Sequence, residues 1–259
     1  MPRTIDASAV ADLADRLYEA DRTGVPIDPP EQSLTVADGY AVQRAVLDRR
    51  EDTAGPPVGY KVGFTSAAIR DELGVDEPAY GRVLAGTVRT EGRLDGGLIE
   101  PKVEPELALR LGEPLEPPVD AVDVLAATTA VVPVVEVVDS RIRDWTVEAG
   151  SAVADNALAA RVVHADRIAA PADLDLALEA VAVRRNGERV ATGVGADVLD
   201  GPARVVAWLS EALADRGERL AAGDLVSTGS LTPLVSLDPG DTVEARFASL
   251  GSVTVSRPE

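Results

Sequence analysis

Residues 100–109 read EPKVEPELAL, and the reading of that stretch decides the fold. Val103, Leu107 and Leu109 give it the apolar character of a buried strand, while Glu104 and Glu106 stand two apart. In a strand, residues i and i+2 share a face, so the two acids project together. Pro105 between them removes one ladder donor, which predicts a sheet edge or a bulge beside a cavity. From here onward strand-like runs dominate, among them VVPVVEVVD at 131–139, AGDLVSTGS at 222–230 and DTVEARFASLGSVTVS at 241–256. Asn186-Gly187, flanked by alternating residues, is the strongest hairpin signal in the chain.

Upstream the period changes from two to 3.6. Val10, Leu13, Leu17 and Ala20 recur at helical spacing, with Asp6 as the cap and Gly24 as the stop. A second helix opens at Thr35, with Asp38 three residues on as a capping box. PPVGYKVGF at 56–64 reads as a short strand and TSAAIRDELG at 65–74 as a small helix. Residues 75–98, rich in glycine and charge, read as loop or lid. A later helix over PARVVAWLSEALADRG, 202–217, carries Val206, Leu209 and Leu213 on one face. A helical first quarter followed by strands with inserted helices predicts an α+β fold. The expected division is a mainly helical portion, 1–75, and a β-rich catalytic portion, 76–259, in one compact unit.

Composition narrows the function. The net charge of −19 repels phosphate backbones and anionic lipid surfaces, which argues against nucleic acid and membrane as partners. It also repels small anions, so a site for one needs a local positive centre. The chain has no cysteine, which excludes disulfides, thiolate nucleophiles and cysteine-bound metals. It has one histidine, His164, which leaves little room for Ser-His-Asp triads and none for a His-rich metal site. The N-terminal residues show no secretory h-region, and a cytoplasmic protein is expected. Chemistry here must use carboxylates, lysine, backbone amides or a bound ion.

Glu136 is a third unusual acid, set between two valines on each side. A lone carboxylate there costs several kcal/mol unless neutralised or paired. Two readings compete. Each glutamate finds an arginine, a lysine or solvent, or all three converge on a hard divalent cation, because carboxylate-only ligation favours Mg²⁺, Mn²⁺ or Ca²⁺ over Zn²⁺. Lys61, in a glycine-bracketed apolar strand, either snorkels to solvent or is held near an anion.

Several ordered motifs carry a resemblance: LTVADGYAVQ (34–43), GYKVGFTSAAIRDELGVDEPAYGRV (59–83), PKVEPELAL (101–109), VVEVVDSRIRDW (134–145), VADN (153–156), AGDLVSTGSL (222–231) and LGSVTV (250–255). Over nearly its whole length the chain resembles the fumarylacetoacetate hydrolase superfamily, in its branch of 2-oxopent-4-enoate hydratases and 4-oxalocrotonate decarboxylases from aromatic meta-cleavage pathways. The resemblance implies a β-rich roll preceded by a smaller helical portion, and a homo-oligomer. It implies Mg²⁺ or Mn²⁺ bound by Glu104, Glu106 and Glu136, and Lys61 at the active site. It also implies a small-molecule 2-oxo acid substrate and a metal-stabilised enolate. Ser140, Asp155 and Ser230 are candidate substrate contacts, and Asp139, Ser140 and Arg141 candidates for ordering the surroundings of Glu136.

Two departures bear on the reaction. Hydratases of this branch usually carry an aspartate where this chain has Ala79, and serines after VADN where it has Ala157, Leu158 and Ala159. The drier pocket so implied favours vinylogous decarboxylation over hydration. Two alternatives stand beside that lyase. The scaffold performs C–C hydrolysis, tautomerisation or a cyclisation on a larger apolar substrate, or the protein is non-catalytic with a structural cation.

Overall fold

The computed structural model describes residues 5–259. Helices α1 (Ala7–Thr23) and α2 (Val36–Ala54) come first, followed by β1 (Pro57–Gly63), α3 (Ala67–Leu73), β2 (Ala79–Leu84) and β3 (Val88–Arg89). Next come β4 (Lys102–Leu111), α4 (Ala121–Ala127), β5 (Thr128–Val138), α5 (Ala149–Ala154) and β6 (Ala159–His164). The chain ends with β7 (Ala180–Arg185), β8 (Glu188–Val194), α6 (Pro202–Ala214), β9 (Leu225–Ser227), β10 (Val235–Ser236), β11 (Thr242–Phe247) and β12 (Gly251–Ser256). The class is α+β: helices at the N-terminus, then a curled mixed sheet.

The N-terminal helices begin and end where their caps dictate. The Asp6 side chain accepts the Ala9 N–H, Gly24 closes α1 in the left-handed region, and Thr35 and Asp38 cap α2 reciprocally. Leu13 and Leu17 of α1 pack on Val42 and Val46 of α2, and both helices bury against Ile142 and Ala154.

One sheet runs β2-β1-β9-β4-β5-β6-β3, with β10 also paired to β4, and a second runs β12-β11-β7-β8. The main core forms between strands such as β4, β5, β7, β11 and β12 and helix α6, where Leu107, Leu109, Val135, Val183, Leu209 and Val253 meet. The Asn186-Gly187 turn joins β7 to β8, both residues at positive φ. Because β1 pairs with β2 and with β9, the sheet begins at residue 57, ahead of the expected division after residue 75.

Two local expectations are corrected. The expected loop at 75–98 contains β2, because Ala79, Tyr80, Val83 and Leu84 form a short buried apolar run that outweighs the surrounding glycine and charge. Pro105 sits at no edge. Strand β4 is flanked by β5 along its length, and on its other side by β9 at Ala108–Arg110 and β10 at Lys102–Val103. The proline occupies the window between those two short partners, where its carbonyl accepts the Leu231 N–H at 3.0 Å. A missing donor is tolerated inside a sheet when the facing strand is interrupted there.

Candidate active site

The β4–β5 register sets Glu104 directly across from Glu136, with Glu106 across from Val134. Directly opposed residues on antiparallel strands have Cβ atoms about 5 Å apart, and like charges there repel. One carboxylate oxygen from each of Glu104, Glu106 and Glu136 comes within 4.8 Å of the others. Glu106 and Glu136 are fully buried, and Glu104 is partly exposed.

The fourth member arrives from β1. Lys61 Nζ lies 3.3 Å from Glu136 Oε1 and donates to the Ala157 carbonyl at 2.9 Å. The Ser227 hydroxyl (2.5 Å) and the Gly229 N–H (2.9 Å) both donate to Glu106 Oε2. Glu106 Oε1 and both Glu136 oxygens receive no hydrogen bond, although all three are buried.

The electrostatics follow from three carboxyls sharing one ammonium. Burial pushes Glu104 up to about 7, against the pull of Lys61, and raises Glu106 and Glu136 as well. For Lys61, burial favours loss of the proton, but Glu136, Glu104 and Glu106 outweigh it, and the ammonium is held above its ordinary value. Buried carboxylates with unpartnered oxygens are costly unless a cation joins them. The donor set, all hard oxygen with no histidine or cysteine, fits a divalent cation of the magnesium, manganese or calcium kind.

Main-chain strain holds the Lys61 partner in place. Asn156, Ala157 and Leu158 all have positive φ, at 53°, 50° and 64°. Asparagine tolerates that region, but alanine and leucine do so at about 1–2 kcal/mol each. The Asn156 side chain accepts the Arg82 N–H at 2.8 Å and donates to the Arg82 carbonyl at 2.9 Å, clamping the segment to β2. That clamp requires Gly81 beside it, since a Cβ there would stand 2.3 Å from the Asn156 carbonyl oxygen.

A cavity of about 610 Å³ opens over the cluster. Lys61, Glu104, Leu158 and Ser230 line it, with Ile69, Trp145, Asp197 and Leu234 among the other wall residues. Ser140, Asp155 and Ala79 do not line it. Ser140 Oγ donates to the Ile142 carbonyl at 2.8 Å, and Asp155 pairs with Arg141 at 2.6 Å. Ala79 is buried opposite Gly63 in the β1–β2 ladder. Asp139 ties down the chain before β4, accepting from Ile99 and Glu100 N–H groups, rather than ordering Glu136. Reasoning from sequence missed Ser227 and the Ala157 carbonyl. The STGS segment pointed toward the first, and no residue type signals the second.

The family model of the fumarylacetoacetate hydrolase C-terminal region matches residues 57–256. A curated 4-oxalocrotonate decarboxylase of Pseudomonas putida is 39% identical over 98% of both chains. The chain belongs to the fumarylacetoacetate hydrolase family. A 2-keto-4-pentenoate hydratase of Burkholderia vietnamiensis is 37% identical, over 98% of this chain and 99% of its own. The 4-oxalocrotonate decarboxylase of Pseudomonas putida G7, solved with magnesium and adipate, superposes with a TM-score of 0.92 at 36% identity, covering 98% of this chain and 99% of its own. Within the fumarylacetoacetate hydrolase family the protein is an enzyme of the hydratase and decarboxylase branch, which are lyases. Among the described residues, no helix is long and apolar enough to cross a membrane.

Proposed function

We propose that this lyase uses Mg²⁺ or Mn²⁺, held by Glu104, Glu106 and Glu136, to remove carbon dioxide from an unsaturated 2-oxo diacid. The observation that carries the reading is a cluster of three carboxyls with one lysine, in which Glu106 and Glu136 have buried oxygens without a partner while Glu104 and Lys61 line a cavity with an otherwise largely apolar wall. A divalent ion bound there supplies Lewis acidity toward the 2-oxo acid end of the substrate.

The chain's own residues do the rest. Ser227 and Gly229 fix the Glu106 carboxylate, leaving its other oxygen toward the cluster. Leu158 keeps water from the distal carboxylate, and a poorly solvated carboxylate is readier to leave as neutral carbon dioxide. The bond from the chain to that carboxyl carbon breaks, and its electron pair passes through the conjugated double bond to the 2-oxo oxygen. Lys61, steadied by the Ala157 carbonyl, carries the proton that this oxygen takes up.

Hydration is the second reading, since it starts from a related dienol. It needs an acid or base placed to activate water. The lining acids are Glu104, already in the cluster, and Asp197, whose Oδ2 accepts the Val194 N–H at 2.9 Å. That favours decarboxylation.

A Mg²⁺-dependent assay separates the two. Bicarbonate release supports decarboxylation, and loss of dienoate absorbance without it supports hydration. Silence with both substrate types removes the whole class, and a folded Glu106→Gln variant that turns over at the wild-type rate removes the catalytic metal.

A further inference from the structure

The cavity is larger than the proposed reaction needs. A six-carbon unsaturated 2-oxo diacid has about eleven non-hydrogen atoms, and at roughly 30 Å³ each, the share of one water in the liquid, it occupies about 330 Å³. The cavity offers about 610 Å³, which lies in the range of sites for much larger ligands.

The surplus has a definite chemical character. Lys61 is the only basic side chain among the described residues that line the cavity, and it belongs to the glutamate cluster. Ile69 from α3, Leu158 from the strained segment, Trp145 and Leu234 supply apolar wall. Ile69 and Leu234 are 42% and 45% exposed, and because both line this cavity each offers apolar surface to an occupant. The wall contributed next to β8 carries Thr192 and the acid Asp197, with no cation to receive a further anionic group.

We infer that the substrate carries an uncharged alkyl or aryl extension of about six to nine non-hydrogen atoms beyond the reacting 2-oxo acid skeleton, lodged against Ile69, Trp145 and Leu234, past the Leu158 wall that faces the leaving carboxylate. The inference rests on the 2-oxo acid reading above and names the substrate class within it. The gain from filling the wall is the transfer of apolar surface out of water, so it rises with each buried methylene. An extension ending in a carboxylate loses that gain, because the charge meets Asp197 and apolar side chains in place of solvent.

The test is calorimetric binding of saturated, unreactive 2-oxo acids to the full chain with saturating Mg²⁺. The probes are 2-oxopentanoate, 2-oxooctanoate, 2-oxodecanoate and the eight-carbon 2-oxo diacid. The expected result is a dissociation constant that falls about threefold to fourfold per methylene along the monoacid series. The eight-carbon diacid should bind at least about tenfold more weakly than 2-oxooctanoate. Ile69→Ser and Leu234→Ser alter solvent-exposed positions and should flatten the dependence on chain length. A constant that is flat or rises beyond five carbons, while 2-oxopentanoate still binds with Mg²⁺, overturns the extension and leaves the 2-oxo acid reading standing. Equal or tighter binding of the diacid overturns its uncharged character. A slope unchanged in both serine variants overturns the assigned wall, and no Mg²⁺-dependent binding of any 2-oxo acid overturns both this inference and the reading it rests on.

Discussion

Glu136 and Arg141 lie close together along the chain, yet the two groups of buried charge to which they belong are treated differently. At Arg141 and Asp155 the opposite charges meet one to one, and only Arg141 Nη1 is left without a partner. Nε meets Oδ1 at 2.6 Å, the Arg141 N–H donates to Oδ2, and a further guanidinium N–H reaches the Asp155 and Ala159 carbonyls. At Glu104, Glu106 and Glu136 three acids have one lysine, and three buried oxygens have no donor. Burial raises the acids in both places, to about 6 at Asp155 and about 7 at Glu104. The difference is whether the fold supplies the counter-charge. Where it does, the group fixes the VDSR segment against VADN. Where it does not, three carboxyls share one ammonium, the arrangement that the proposed divalent cation would complete.

The sharpest way to break the contrast is Arg141→Ala. It leaves Asp155 buried and alone, and should cost about 3–5 kcal/mol in chemical denaturation, whereas Arg141→Met combined with Asp155→Leu should cost much less. Glu136→Gln should do the reverse. Turnover should fall by roughly a thousandfold, the several kcal/mol that a Lewis-acid centre contributes, while the melting point of the metal-free protein should rise by about 2–4 °C for each kcal/mol of repulsion relieved. Ion binding sharpens the same difference. Mg²⁺ at a hundred times its dissociation constant should stabilise the wild type by about 2.7 kcal/mol, with the gain much reduced in Glu136→Gln.

The pH dependence follows from the raised carboxyls. Between the ordinary value of 4.5 and about 7 the folded, metal-free protein holds a proton at Glu104 that the unfolded chain releases. Stability of that form should therefore fall as pH rises through this window, while Mg²⁺ affinity should climb, because the ion displaces protons. Denaturation and titration calorimetry at several pH values check both signs. The smallest effect is expected at Ala157→Gly. Relief of a left-handed alanine should stabilise the fold by about 1 kcal/mol, and the looser carbonyl should lower kcat by loosening its hold on Lys61.

Much of the fold is legible where local chemistry is decisive. Asp6, Thr35 with Asp38, and the Asn186-Gly187 turn name their own conformations because the side chain or backbone bonds within a few residues. Glu104 and Glu106 share a face by strand period alone. Local signals mislead where a long-range partner decides. Glycine and charge around 75–98 hide β2, which exists because Ala79, Tyr80, Val83 and Leu84 bury when β1 pairs beside them. Pro105 suggested an edge, and only the interrupted strands β9 and β10 reveal a window within the sheet. Ser140 and Asp155 belong to family motifs, yet their polar atoms turn inward to Ile142 and Arg141.

The sequence by itself determined the helical preface, the β-rich remainder, the absence of thiol chemistry and the presence of acids in strands too apolar to solvate them. Those properties depend on spacing, composition and charge, which are complete once the chain is written. Only the tertiary structure decided that Glu136 stands across from Glu104, that Lys61 comes in from β1, and that the cavity above them is wide and largely apolar. Each of those depends on register between strands distant in sequence, which is set by burial of the whole sheet.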